Sequence, residues 1–215
     1  MIEDKKPEAH VLKKERVFDD FFGIDKYEIE VEKHEGGTQK VTRLVFERGD
    51  AVAILGYDPN RDEVLLINEM RPGMLAAGDD PFSDALPAGM IDKGEDALMA
   101  ASRELREETG VVLKGPTVIH AGAYVSSGGT SERIALVFGM IDSSKAGGIY
   151  GHESEGENIK SVVVSSDEFI RRAVSGELKD MKSLTCAFWL ALNKERIQKL
   201  NAPADKKTKP LTPKN

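Results

Sequence analysis

Gly89-Met-Ile-Asp-Lys-Gly-Glu95-Asp-Ala-Leu-Met-Ala-Ala-Ser-Arg103-Glu-Leu-Arg-Glu107-Glu-Thr-Gly110-Val gathers three glutamates, Glu104, Glu107 and Glu108, beside Arg103 near the end of one short helical run that a glycine closes. At roughly 100° per residue, Glu104 and Glu108 lie about 40° apart on a helix surface, one turn above each other, with Glu107 on the adjoining edge. Leu98, Ala101 and Leu105 recur at helical spacing beside that stripe, so the helix is expected to bury one edge and turn its carboxylates toward a cleft. Gly94 precedes the run, and Gly110 stands where a left-handed C-terminal residue is wanted. Carboxylates this close repel one another unless a cation joins them, and several Glu with no nearby His or Cys favour Mg²⁺, or Mn²⁺ in its place, over Zn²⁺.

A solvated face with intrahelical Glu/Arg pairs is the ordinary reading of an E/R-rich helix, but here the order of residues argues against it. The run resembles the Nudix box, G-x5-E-x7-R-E-U-x-E-E-x-G-U with U aliphatic. Gly89, Glu95, Arg103, Glu104, Leu105, Glu107, Glu108, Gly110 and Val111 occupy every specified position. Its seven fixed letters match by chance on the order of 10⁻⁸ per start point or less.

The chain has 215 residues, 40% of them hydrophobic and 31% charged, enough for one substantial α+β core without help from disulfides or a structural metal. Cys186 lies in Leu-Thr-Cys-Ala-Phe-Trp-Leu and reads as a small buried hydrophobe. The N-terminus lacks an apolar signal region, and no run of about 18 apolar residues occurs, so a cytoplasmic protein is expected. A net charge of −7 disfavours a nucleic-acid duplex or an anionic membrane as partner. A small phosphorylated ligand remains possible, bridged by metal ions and a few placed arginines.

Outward from the box, residues 1 to 16 are charged and Pro-containing. Alternation over 27–31 and 41–46 around Glu35-Gly-Gly-Thr38 predicts a hairpin, and 51–55 with 64–67 around Asp58-Pro-Asn-Arg-Asp62 predicts a second. Residues 72 to 85 read as a loop, and 117–121 and 133–138 as strands around the Ser126–Ser131 turn. An acidic, Gly-rich and mobile loop is expected over 142–158, followed by a strand over 159–164. Helices are expected over 167–175, capped by Asp167, and 183–200, capped by Ser183, with Leu184, Phe188, Ala191 and Leu192 as the buried stripe of the second. His120 and His152 read as structural. The expected organisation is a β-rich dimerisation arm over 1–50, a catalytic domain over 51–200 and a disordered tail over 201–215.

More of the chain resembles the ADP-ribose pyrophosphatase branch of the Nudix hydrolases, from about residue 17 to about 200. Leu86-Pro-Ala-Gly-Met-Ile, Ile67-Asn-Glu-Met-Arg71, Ser127-Gly-Gly-Thr-Ser-Glu132-Arg and Glu155-Gly-Glu157 carry that likeness, although Ser126-Ser-Gly lacks the proline often found in Ser-Pro-Gly. The resemblance implies an α+β fold, the Nudix α/β/α sandwich with a mixed sheet, and an N-terminal β-rich arm exchanged in a homodimer. It implies metal-dependent cleavage of ADP-ribose to AMP and ribose 5-phosphate. It also implies roles for individual residues. Glu104, Glu108, Glu157 and the carbonyl of Ala88 resemble the metal ligands, with Glu107 in support. Arg103 resembles the brace of the glutamates, Glu95 serves the helix start, and Glu155 resembles the general base, a role that Glu153 or Glu157 would take after a shift of two positions. Arg71 and Arg43 resemble arginines that reach phosphates or the terminal ribose, Glu132 an acceptor for ribose hydroxyls, and Phe21 a stacking partner of the base. The alternatives are a GDP-mannose or other nucleoside diphosphate sugar hydrolase and a silent ADP-ribose-binding module. The silent module should have lost box carboxylates, and this chain retains them all. RNA decapping fits poorly with the acidic balance.

Overall fold

The computed structural model describes residues 6 to 201, apart from the side chain of Glu155. Part of the expected tail, from residue 202 onward, lies outside the described residues. Two sheets are present. The first joins β1 (Ala9–Asp19), β2 (Gly23–Glu32) and β3 (Thr38–Glu47) in antiparallel order, with β2 and β3 in register from Gly23↔Glu47 to Glu32↔Thr38. The β2–β3 turn closes through Lys33 N–H to Gly37 O, with Gly36 and Gly37 both at positive φ. β1 corrects the sequence reading of the charged N-terminal segment. Lys13, Lys14, Glu15 and Arg16 have no apolar alternation to announce a strand, and pairing along the edge of β2 organises them instead.

The second sheet has β4 (Ala51–Asp58) and β9 (Arg133–Met140) at its centre, parallel from Ala51↔Ile134 to Tyr57↔Met140. β11 (Ile159–Ser165), β5 (Glu63–Met70) and β8 (Lys114–Tyr124) add antiparallel pairs, so the sheet is mixed. Every residue of β4 is buried, and its alternation divides the core. Ala53, Leu55 and Tyr57 pack with Phe169, Cys186, Ala187 and Leu190 from α3 (Ser166–Val174) and α4 (Met181–Asn201). Val52 and Ile54 pack with Ala100, Ala101 and Leu105 from α2 (Ala97–Thr109). The result is a helix layer on each face of one sheet, the expected α/β/α sandwich.

Differences from the sequence reading cluster in short or exposed pieces. The β4–β5 hairpin pairs only at Tyr57↔Val64 and Asp58↔Glu63 before its strands splay. Into the gap come β6 (Phe82–Ala85), paired with β5, and β7 (Ala88–Met90), paired with β4. The stretch 72–85 is therefore not a plain loop: it contains α1 (Pro72–Ala76) and β6, elements too short to show a period in sequence. Asp96, not Glu95, caps α2, and Ser165, not Asp167, caps α3. At the start of α4, Ser183 accepts the buried Leu86 N–H and donates to Asp180, whose carboxylate also accepts the Ser183 N–H. The buried stripe of α4 is Ser183, Cys186, Ala187, Leu190 and Ile197, rotated from the expected one, and Phe188, Ala191 and Leu192 face outward. No described helix is long and apolar enough to cross a membrane.

Candidate active site

The splayed hairpin positions the site. Because β7 fills the gap beside β4, Ala88, Gly89 and Met90 lie against α2, and each serves the box in a different way. Ala88 N–H donates to Glu108 Oε2 at 3.0 Å. A Cβ at Gly89 would sit 2.0 Å from the Glu104 carboxylate, so any larger residue there would displace that carboxylate from its present place. Met90 O accepts from Arg103 Nη2 at 3.0 Å.

Arg103 organises the acids of α2. It grips Glu95 through Nε at 3.1 Å and Nη2 at 2.8 Å, while Nη1 reaches Glu104 at 2.8 Å and Glu107 at 3.2 Å. This fork is charge-assisted and planar, which a lysine would not reproduce. Donating to Glu95, and to the neighbouring Glu104, raises the arginine's pKa further. Glu95 also accepts the Asp92 N–H, so it closes the turn leading into the helix as well as anchoring the brace.

Glu108 is 4% exposed. Burial pushes its carboxyl well above the ordinary carboxylate range, Glu104 and Glu69 push it further, and the Ala88 N–H and Arg71 oppose them. Burial likewise raises Glu104 and Glu69, although Arg103 opposes the shift at the first and Arg71 at the second. Burial and mutual repulsion make each of these acids costly to ionise, a cost that a divalent cation would offset, and carboxylate oxygens suit Mg²⁺ or Mn²⁺. Among the described residues, no three Asp, Glu, His or Cys side chains form a ready metal cluster. Glu104, Glu107, Glu108 and Glu157 do line one cavity of about 260 Å³ with Asp92, Arg103 and His152.

That cavity adjoins a larger one of about 780 Å³, and Glu104, Glu157, Asp92 and Arg103 belong to both. Phe21, Arg71 and Glu132 line the larger cavity, as do Ala88 and Gly89. Glu157 arrives from the acidic loop, where β10 (Ile149–Tyr150) pairs with β11 and a 3₁₀ turn follows at Glu153–Glu155. Its carboxylate accepts the His152 N–H at 3.1 Å. Glu155 has its backbone in that turn, but its side chain lies outside the described residues. Arg43 stands apart: it is exposed on β3, donates to Thr42 O, and does not line the cavity of its own chain.

The family-model comparison matches the NUDIX domain over residues 47–188. The chain belongs to the Nudix family. Among its Nudix relatives, the ADP-ribose pyrophosphatase of Escherichia coli is 32% identical over 194 residues, covering 90% of this chain and 92% of that protein. The GDP-mannose pyrophosphatase of Pectobacterium atrosepticum is 26% identical over 181 residues, covering 81% and 89%. A solved structure described as an ADP compounds hydrolase superposes with a TM-score of 0.65 at 20% identity, covering 86% of this chain and 96% of that one, a likeness of fold.

Two charges at or beside the site escaped the sequence reading, of which Arg48 lines the larger cavity and Glu69 lines neither. Glu69 pairs with Arg71 Nη1 at 2.6 Å, and its position two residues away on one strand was the available signal. Arg48 lines the larger cavity beside Glu132 but sits in Phe46-Glu-Arg-Gly-Asp50, where nothing in the pattern separates it from a solvated charge.

Proposed function

We propose that this Nudix hydrolase adds water across the diphosphate of ADP-ribose, releasing AMP and ribose 5-phosphate in a Mg²⁺-dependent reaction, with Mn²⁺ as a substitute. The observation that carries the reading is the buried Glu108 carboxylate lining a small acidic cavity with Glu104 and Glu157, two residues that also line the larger cavity beside it. Glu104, Glu108, Glu157 and the Ala88 carbonyl would hold the ions. When bound, these ions neutralise diphosphate charge and activate water.

The chain's own residues supply the rest. Arg103 keeps Glu104 and Glu107 oriented, which fixes the acidic edge before substrate arrives. Arg71 offers a cavity-facing guanidinium to the phosphates, and its buried Nη2 has no hydrogen-bond partner among the described residues. Phe21 presents an exposed ring to the base, and Glu132 offers a carboxylate to sugar hydroxyls. Glu155 is the proposed general base, taking the proton of the attacking water.

We also infer a homodimer with exchanged arms that acts on a small nucleotide in the cytoplasm. β1 is exposed along its whole length, with Val11, Leu12, Val17 and Phe18 uncovered, and Arg43 is exposed and does not line the larger cavity of its own chain. A second copy would cover the first group and receive the second. The relative that hydrolyses GDP-mannose supports one rival substrate. The test is a panel of ADP-ribose, ADP-glucose, GDP-mannose, UDP-glucose, a diadenosine polyphosphate and capped RNA with Mg²⁺, reading released monophosphate. The proposal expects ADP-ribose to give the highest kcat/KM; a higher value for GDP-mannose would replace the substrate and keep the site.

A further inference from the structure

Arg48 joins the arm to the cavity, and no role proposed above uses it. It follows β3 directly, and its Nε stands 3.4 Å from Glu132 Oε1, an ion pair without hydrogen-bond alignment, so that this buried N–H has no hydrogen-bond partner among the described residues. On the other side its guanidinium carbon lies 5.0 Å from the centre of the Phe22 ring. Phe22 packs edge-on against Phe21 at 4.6 Å and against Phe46 at 5.4 Å. Phe46 in turn holds the 126–131 turn, through its N–H to Gly129 O at 2.9 Å and its carbonyl accepting from Ser131 N–H at 3.2 Å. One aromatic cluster therefore fixes both Arg48 and the segment that carries Glu132.

The Glu132 side chain is only 8% exposed, and among the described residues Arg48 is its one cationic partner. A carboxylate withdrawn from water in this way is drawn by the field of its counter-charge, which turns one oxygen toward the guanidinium and leaves the other to accept from a ligand. Both residues line the larger cavity. Adjacent hydroxyls of a sugar are the donors that such an oxygen selects.

We propose that Arg48 is a positioning residue for sugar selection: it orients the Glu132 carboxylate toward two neighbouring hydroxyls of the distal sugar and links that orientation to the arm through Phe22. The inference rests on the reading of Glu132 as the acceptor of sugar hydroxyls. The measurement is kcat/KM for ADP-ribose and for an ADP-sugar analogue lacking one of those hydroxyls, in wild type, Arg48→Ala, Arg48→Lys and Glu132→Gln. Losing an oriented charged acceptor predicts that R48A lowers the preference for ADP-ribose by about 10-fold. The loss should be carried by KM, with the analogue changed by no more than about 2-fold and part of the preference restored in R48K. If R48A does not fold, Arg48→Gln, neutral and of similar reach, takes its place. Equal losses on both substrates would make Arg48 merely structural or a phosphate contact and overturn the proposal. An unchanged preference in E132Q would sink the reading of Glu132 itself, whereas a preference lost in E132Q and kept in R48A would sink only the role of Arg48.

Discussion

At the scale of single residues, the site depends on two positions where one atom decides. Glu108→Gln keeps the shape and the hydrogen bond from Ala88 while removing the charge that a cation would need. Turnover with Mg²⁺ should fall by roughly 100-fold or more with the melting temperature unchanged or raised, because a buried, repelled carboxylate is replaced by a neutral amide. Activity within a few-fold of wild type would remove Glu108 from the ligand set. Gly89→Ala tests the opposite face of the same contact. The added methyl would meet the Glu104 carboxylate at 2.0 Å, and either the side chain or β7 must move. Mg²⁺ titration of activity should show a half-saturation raised by about 10-fold or more, since a displaced ligand weakens an ion of strict geometry. An unchanged Mg²⁺ dependence would show that Glu104 does not need its place against Gly89.

At the scale of elements, α2 was legible because thirteen residues carry a full helical period and a left-handed glycine at the end, although its cap proved to be Asp96 rather than Glu95. Asp96→Ala should cost about 1 kcal/mol by denaturant melts, as its carboxylate serves both Leu98 and Met99 N–H. The α3 end supplies a pH prediction. Arg171 bonds Glu168 and Glu177, and these bonds hold both carboxyls down at about 2, below the ordinary range near 4.3. A folded value below the unfolded one means that the stabilisation is complete above the unfolded value and disappears as pH falls toward the folded value. Melting temperature should therefore drop between about pH 5 and pH 2, with a shallower drop in Arg171→Ala; parallel curves would count against this linkage. Other elements were hidden for physical reasons. β6 and β7 are four and three residues long and exist because β4 and β5 splay to receive them, a tertiary cause with no local period. The stripe of α4 was misplaced because apolar residues occur all round that helix, Leu192 outside as well as Leu190 inside, so periodicity could not choose a face.

At the scale of the whole molecule, exchange of the proposed arm would decide whether the cavity is complete in one chain. Box carboxylates, Arg71 and Glu132 were readable because each lies in a motif that the fold gathers within one subunit. Arg43 was readable only as a resemblance, and the fold leaves it on an exposed strand away from its own cavity. If arms exchange, Arg43 of one copy serves the cavity of the other, and two defective variants can complement. Arg43→Ala should lower kcat/KM through KM, and Glu108→Gln should abolish turnover. Co-refolding equal amounts of the two gives about half mixed dimers, each with one site that has Glu108 and an intact arm opposite it. Activity at limiting ADP-ribose should then recover to about a quarter of wild type, well above the average of the separate variants. Light scattering on the same samples should report dimers throughout. If Arg43 acts within its own chain, every mixed dimer holds one site lacking Arg43 and one lacking Glu108, and the mixture stays at the average of its parents.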